Sequence, residues 1–220
     1  MGYEIDHLFV LTDVGGPAAE ALVRFGFTEG PPNRHEGQGT ANRRFFFDNA
    51  MLELLWVESE DEARSPPAQP LRIADRWKGR SALACPFGIC LRATDTETVV
   101  APFRSFEYRP SFFPSGFVAH IGQDTSLVEP LWFFIPRARR PDALPPNQRP
   151  PLKHPIGVSN ITDVTITLPQ TPSPATEAAA AACRVGVIVG LEHRLRITFD
   201  GGRKGSVHYF GSGLPMEFRW

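Results

Sequence analysis

The sequence predicts an α+β fold in which a strand–helix–strand module recurs, its strands forming a curved, mostly antiparallel sheet (a half-barrel or barrel) with helices outside. Three observations carry that prediction. Proline-rich stretches at 65–70, 141–155 and 169–174 punctuate the chain, and proline, which lacks an amide donor and fixes φ, ends ladders and helices alike. The segments left between them, 1–64, 81–140 and 156–220, each open with an apolar run of strand length followed by a turn and a helical pattern. Each helical pattern is then followed by further β-rich runs. The expected organisation is a first βαβββ-like module over 1–64, a second, degenerate module over 81–140, and a third, partial one over 156–220. All three are compatible with one compact domain.

In the first segment, 5–11 is an apolar run of strand length, 13–16 supplies a turn, and 17–23 reads as a helix with Pro17 at its first position. Residues 43–48 and Met51–Val57 follow as two strands joined by a tight Asp48-Asn49-Ala50 connection. In the second, 88–93 is the strand and Thr94-Asp95 the cap. A helix is expected over 96–104 with Val99, Val100 and Phe103 on one face, then strands at 117–121 and 131–135. In the third, Val164, Ile166 and Leu168 alternate with threonines, Ser173-Pro174 caps an Ala-rich helix over 175–183, and strands follow at 195–199 and 207–210 around the Asp200-Gly201-Gly202 turn. Helices on one face leave the other face of a curved sheet free as a cleft.

Composition narrows the function. A net charge of -1 provides no long-range field for nucleic acid or an anionic membrane. Basic residues cluster at Arg43-Arg44 and 137–140; the second run, in a proline-rich stretch, reads as a solvated loop and the acidic run at 58–62 as a solvated strand end. Cys85, Cys90 and Cys183 are an odd set without CxxC or zinc spacing, as suits a reducing compartment. With no signal-peptide pattern at the start and no run of about 18 apolar residues, a cytoplasmic location is expected. There is no GxSxG, no P-loop and no GxGxxG after a strand, so no nucleotide cofactor is expected.

The residues Ile5-Asp6-His7-Leu8-Phe9-Val10 resemble the opening strand of the glyoxalase and bleomycin-resistance-like proteins, the vicinal oxygen chelate superfamily. The loop from His35 to Arg43 (HEGQGTANR), continuing into Asn49-Ala50-Met51-Leu52-Glu53-Leu54-Leu55, resembles a glyoxalase-like subfamily. The likeness is strong over 3–57, weaker over 86–136 and faint beyond. It implies a divalent metal held by one ligand from the first and one from the last strand of each of two modules. His7 and Glu53 match the first pair; Gly88 and Pro136 stand where the second pair is expected, and His35, His120, Glu129 and His154 are candidates to complete the set. The resemblance also implies module pairing across subunits, hence a homodimer. It leaves the reaction open among lyase, isomerase and dioxygenase types and non-catalytic binding.

The residues themselves leave alternatives. His7, flanked by Ile5 and Phe9, is either a metal ligand or a hydrogen-bonded core histidine. Glu53 lies in an otherwise apolar run, where an unpaired carboxylate is too costly to bury. It is either a cleft group, ligand or general base, or the partner of Arg43 or Arg44. The 35–42 loop is either a tight connection or a substrate-orienting loop, and Trp56 and Trp132 either line the cleft or fill the core. The expected site is therefore Glu53 as catalytic group, His7 and Glu53 on metal, and His35, Thr40, Asn42, Arg43, Trp132 and His154 on a small-molecule ligand. The ligand would be a small oxygen-bearing or aromatic molecule, either transformed or simply bound.

Overall fold

The computed structural model describes residues 2–220. In chain order the elements are β1 (Tyr3–Leu11), α1 (Ala19–Phe25), β2 (Asn33–His35), β3 (Thr40–Phe46), β4 (Met51–Val57), α2 (Glu60–Ala63), α3 (Ile73–Gly79), β5 (Phe87–Ala93), β6 (Ser105–Tyr108), β7 (Ala119–Gly122) and β8 (Leu131–Phe134). They continue with β9 (Ile161–Leu168), α4 (Pro174–Cys183), β10 (Gly186–Val189), β11 (Arg194–Phe199), β12 (Val207–Tyr209) and β13 (Met216–Arg219). No helix among the described residues is long and apolar enough to cross a membrane.

The first eight strands form one strongly curled sheet, a half-barrel, in the order β2-β3-β4-β1-β5-β8-β7-β6. Each half repeats one wiring: β1 lies parallel to β4 and β5 parallel to β8, while β1 and β5 join the halves antiparallel. The period of two along a strand divides the side chains between the two faces. Leu8, Val10, Leu52, Leu54, Ile89, Trp132 and Phe134 point to the convex side, where they form the main core with the second sheet. Phe9, Leu11, Leu55, Val57, Cys90, Ile121 and Leu131 form a second cluster on the concave side.

Local chemistry sets the ends of the helices. α1 stops at Gly26, whose φ of 108° is left-handed and whose amide bonds back to the Val23 carbonyl. α4 begins with Ser173 accepting from the Thr176 amide and with Pro174 in the first turn, as expected from the sequence.

One expectation fails. No helix forms over 96–104; Asp95 Oδ1 instead accepts from the amides of Glu97 and Thr98, and Val99 and Val100 are exposed. The reasons are local. Pro102 breaks the run, and an aspartate bonding the amides two and three residues on offers the backbone a turn in place of a helix. The third segment is wired differently. Its sheet runs β10-β9-β11-β13-β12, with β10 directly parallel to β9, whereas the parallel neighbour of β1 is its module's last strand. This sheet covers the convex face of the first, with α4 against β1.

Candidate functional site

The concave face of the half-barrel encloses a cavity of about 270 Å³. Its walls are mostly apolar: Phe9, Leu55, Ile121, Leu131 and Phe133 come from the strands, and Leu71 and Ile73 from the start of α3 and the turn before it. The loop after β6 closes the remaining side with Phe112 and Phe113. That loop reaches the opposite edge of the half-barrel, where Ser111 Oγ donates to the Glu36 carbonyl at 3.3 Å and the Phe112 ring lies 4.8 Å from that of His35.

One corner is polar. His7 on β1 and Glu53 on β4 both face the cavity, joined by His35, Asn33 and Gln38 from the β2–β3 edge. A bulge at Asp6, where the β1–β5 register shifts between Ile5 and His7, brings the Asp6 and His7 side chains together. Asp6 Oδ2 bonds His7 Nδ1 at 2.7 Å, and its Oδ1 accepts from Arg92 at 3.0 Å. Arg92 Nε in turn donates to Glu4 at 2.8 Å. Burial opposes a charge on His7, but Cys90, Glu53 and the bond to Asp6 outweigh it and hold the imidazole pKa well above its ordinary value.

Glu53 is the unusual group. It is only 6% exposed; no hydrogen bond or close ion pair joins it to another described residue, and its charge acts through space on His7, His35 and Arg44. Arg44 sits directly across from it on β3, but its guanidinium donates to the Pro31 and Pro32 carbonyls and lies 5.1 Å from the centre of the Phe46 ring. The alternative of a salt bridge to Arg43 or Arg44 is therefore not realised.

The other sequence-derived candidates separate by strand face. His35 lines the cavity; its Nδ1 bonds Thr40 Oγ1 at 2.8 Å, to which Gln38 Nε2 also donates, and burial lowers its pKa. Thr40 and Asn42 stand behind this edge, Asn42 Oδ1 accepting from the Asn33 amide at 2.9 Å while its Nδ2 is without a partner. Arg43 points the other way and forks onto Glu29 at 2.7 and 2.6 Å, with Glu20 at 2.8 Å. Trp132 is fully buried on the convex side, its Nε1 donating to Thr176 Oγ1 at 3.3 Å.

His154 is also a convex-side group. It accepts from the Thr28 amide at 3.0 Å, donates to the Phe46 carbonyl at 2.9 Å and packs on Phe27 and Phe47. Glu129 caps the Ser126 and Ser173 amides, and His120 packs beside Phe134. Strand alternation turns Arg43 and Trp132 away from the cleft and His154 lies in the loop before β9, so none of the three lines the cavity. The sequence reading also missed Gln38, Phe112, Phe113, Leu71 and Ile73. The apolar spacing of Leu71, Ala74 and Trp77 was the available signal for the last wall.

Burial lowers the His154 pKa from 6.5, so the unfolded chain takes up its proton first as the pH falls. The stability His154 contributes is present above pH 6.5 and lost on acidification through its folded value. His35 and His193 shift the same way and His7 the opposite way. Denaturant titrations from pH 7.5 to 5 should therefore show a smaller acid loss in His154→Gln than in the parent, together with a neutral-pH cost of about 1–3 kcal/mol from the unpaired Phe46 and Thr28 groups. Identical pH slopes would refute this role.

A family model described as glyoxalase-like domain matches residues 5–183. The chain belongs to the glyoxalase-like domain family. Among solved structures, a hypothetical protein from Staphylococcus aureus is similar over 99% of both chains, with 14% identity and a TM-score of 0.54. Methylmalonyl-CoA epimerase from Streptomyces coelicolor, in complex with 2-nitronate-propionyl-CoA, aligns over 63% of this chain and all (100%) of its own, with 13% identity and a TM-score of 0.40. A mutant 4-hydroxymandelate synthase from the same organism aligns over 99% of this chain and 62% of its own, with 15% identity and a TM-score of 0.43. Among curated proteins no sequence match is found.

The glyoxalase-like chain does not build the four-ligand metal centre that the resemblance implies. In the first half Glu53 pairs with Phe9, two residues beyond His7. The equivalent step in the second half runs from Gly88 to Cys90, which pairs with Phe133. Phe133, not Pro136, therefore stands where the second carboxylate was expected. A Cβ on Gly88 would lie 2.0 Å from the Phe9 ring, and the Phe133 ring packs 5.2 Å from His7 and 6.1 Å from Phe9. Aromatic rings fill that half of the site.

A different trio, Asp6, His7 and Cys90, brings a carboxylate oxygen, a ring nitrogen and a sulfur within 4.8 Å of one another, a grouping of metal-binding donor types. Its donors are already engaged. Asp6 is bonded to Arg92 and to His7 Nδ1, and burial pushes the fully buried Cys90 thiol up to about 11, keeping it protonated. The described residues do not fit a divalent metal without displacing a buried charge pair.

Proposed function

We propose that this glyoxalase-like chain binds a small, largely apolar molecule in the half-barrel cavity and holds its polar end at Glu53 and His7 without a divalent metal. The observation that carries the reading is Glu53, a carboxylate on the wall of a mostly apolar cavity with no hydrogen-bonded donor. Burying an ionised carboxylate costs more than the roughly 2–7 kcal/mol of a neutral amide or hydroxyl unless it is paired or hydrogen-bonded. A ligand offering a donor recovers that cost, which ties the pocket's chemistry to occupancy. His7, fixed through Nδ1 by Asp6, supplies a second polar contact, and the aromatic walls supply the apolar burial.

The test is a pair of measurements on the purified chain. Elemental analysis is expected to find substoichiometric divalent metal that does not rise after loading. Ligand-observed NMR and thermal shift with single-ring aromatic probes are expected to show binding that Ala119→Phe, which fills the cavity, removes. Stoichiometric, re-loadable metal lost in His7→Ala would overturn the metal-free reading, and probe binding unchanged by Ala119→Phe would overturn the site.

A second reading, favoured by the Asp6–His7 pair, makes the same corner a proton-transfer site with Glu53 as base and His7 as acid. Solvent deuterium would then exchange into a bound carbon acid in the parent and not in Glu53→Gln.

A further inference from the structure

We propose that the polar end of the ligand is a cationic amine seated on Glu53 and boxed by the aromatic side chains of the cavity. This rests on the pocket reading above and specifies the ligand class for that same site.

The argument is a charge count around the cavity. Four ionisable side chains line it: His7, His35, Glu53 and Tyr108. Burial lowers the His35 pKa and pushes the Tyr108 phenol up to about 12, so neither carries charge at neutral pH. His7 is bonded to Asp6, and Arg92 to both Asp6 and Glu4, so these four groups balance one another. Arg44 turns its guanidinium outward to two proline carbonyls. Glu53 is the lining carboxylate with no hydrogen-bonded counter-charge, its charge reaching His7 and Arg44 only through space, and the low dielectric of a mostly apolar cavity strengthens its pull on an opposite charge.

The walls favour the same ligand. Phe9 lies directly across from Glu53, and Phe112, Phe113, Phe133 and Tyr108 line the same cavity; aromatic faces attract an ammonium while contributing apolar burial to the group that carries it. A neutral alcohol of the same shape satisfies one oxygen of Glu53 but leaves its charge unbalanced. An anion meets like charge.

The experiment compares three probes of one size on the full chain: benzylamine, benzyl alcohol and benzoate, by ligand-observed NMR with competition, against the parent, Glu53→Gln and Glu53→Leu. Benzylamine is expected to bind about tenfold or more tighter than benzyl alcohol, the margin of a hydrogen bond to a charged group. In both variants the amine should bind no tighter than the alcohol does there, while the alcohol loses only the smaller share that its hydrogen bond to one Glu53 oxygen supplies. Equal affinities for amine and alcohol in the parent, tightest binding of benzoate, or amine binding that survives both variants would overturn the amine assignment and leave the pocket reading standing. Failure of all three probes to bind the parent would overturn the pocket reading and the amine assignment together.

Discussion

Replacing Arg92 with methionine is expected to cost about 3–5 kcal/mol of folding stability, the range for removing one partner from a buried charge cluster. The arginine side chain is only 2% exposed, and its three donor nitrogens are spread over Glu4, Asp6 and the Asn49 carbonyl. Those partners come from the first strand and from the turn between β3 and β4. One guanidinium therefore ties the second half of the half-barrel to two parts of the first. Methionine fills most of the volume but leaves Asp6 with only His7, Glu4 without its ion pair and a carbonyl without a donor. Typical domains have about 5–15 kcal/mol in total, so the variant should lose about a fifth of it or more. Urea denaturation at neutral pH measures the loss, and a change below about 1 kcal/mol would place the cluster in the class of weak surface pairs. The double variant Arg92→Met with Asp6→Asn should recover part of the cost, because it removes the stranded charge.

This cluster also marks how far the sequence could be read. His7 and Glu53 were legible because each is a polar residue inside an apolar strand, a pattern that a single strand reveals locally. The Asp6–Arg92 pair was not, since it depends on a bulge in the β1–β5 register between residues 86 positions apart. Period-two alternation fixed more than was taken from it. Adjacent residues on one strand cannot both face a cleft, so Asn42 and Arg43 could not both be ligand contacts, and Phe133 facing the cavity sends Trp132 to the core. Alternation gives parity without direction, and only packing between sheets says which parity is the core. Proline punctuation located the segments, but a short helix, Ile73–Gly79, lies between the first two and falls in neither. The helix expected over 96–104 failed at Pro102, a residue present in the run from the start. The wiring of the third segment, with β10 beside β9, was not legible because strand order depends on which long-range pairings close first, and no local pattern carries it.

Glu53→Leu is expected to raise the stability of the unliganded chain by about 1–3 kcal/mol, the penalty measured for buried polar groups without partners, while abolishing amine binding. The two effects have one origin. In the free protein the carboxylate lies beside Leu55 on its own strand and Phe9 directly across, in a corner shared with His7, His35, Asn33 and Gln38, none of which donates a hydrogen bond to it. Leucine in that position would join the concave apolar cluster instead. Glu53→Gln separates the contributions: it removes the charge but keeps a polar group to be desolvated, so its gain should be smaller than that of leucine. Thermal and urea unfolding of the three proteins, with and without benzylamine, provide the full comparison. The parent should gain stability with added amine and both variants should not, so that saturating amine narrows or reverses their lead. Gains for function at the expense of stability are the usual signature of a binding group held in an unfavourable setting. A destabilised Glu53→Leu would instead mean that the carboxylate supports the fold through a contact made in solution, and the case for an unpartnered binding group would fall with it.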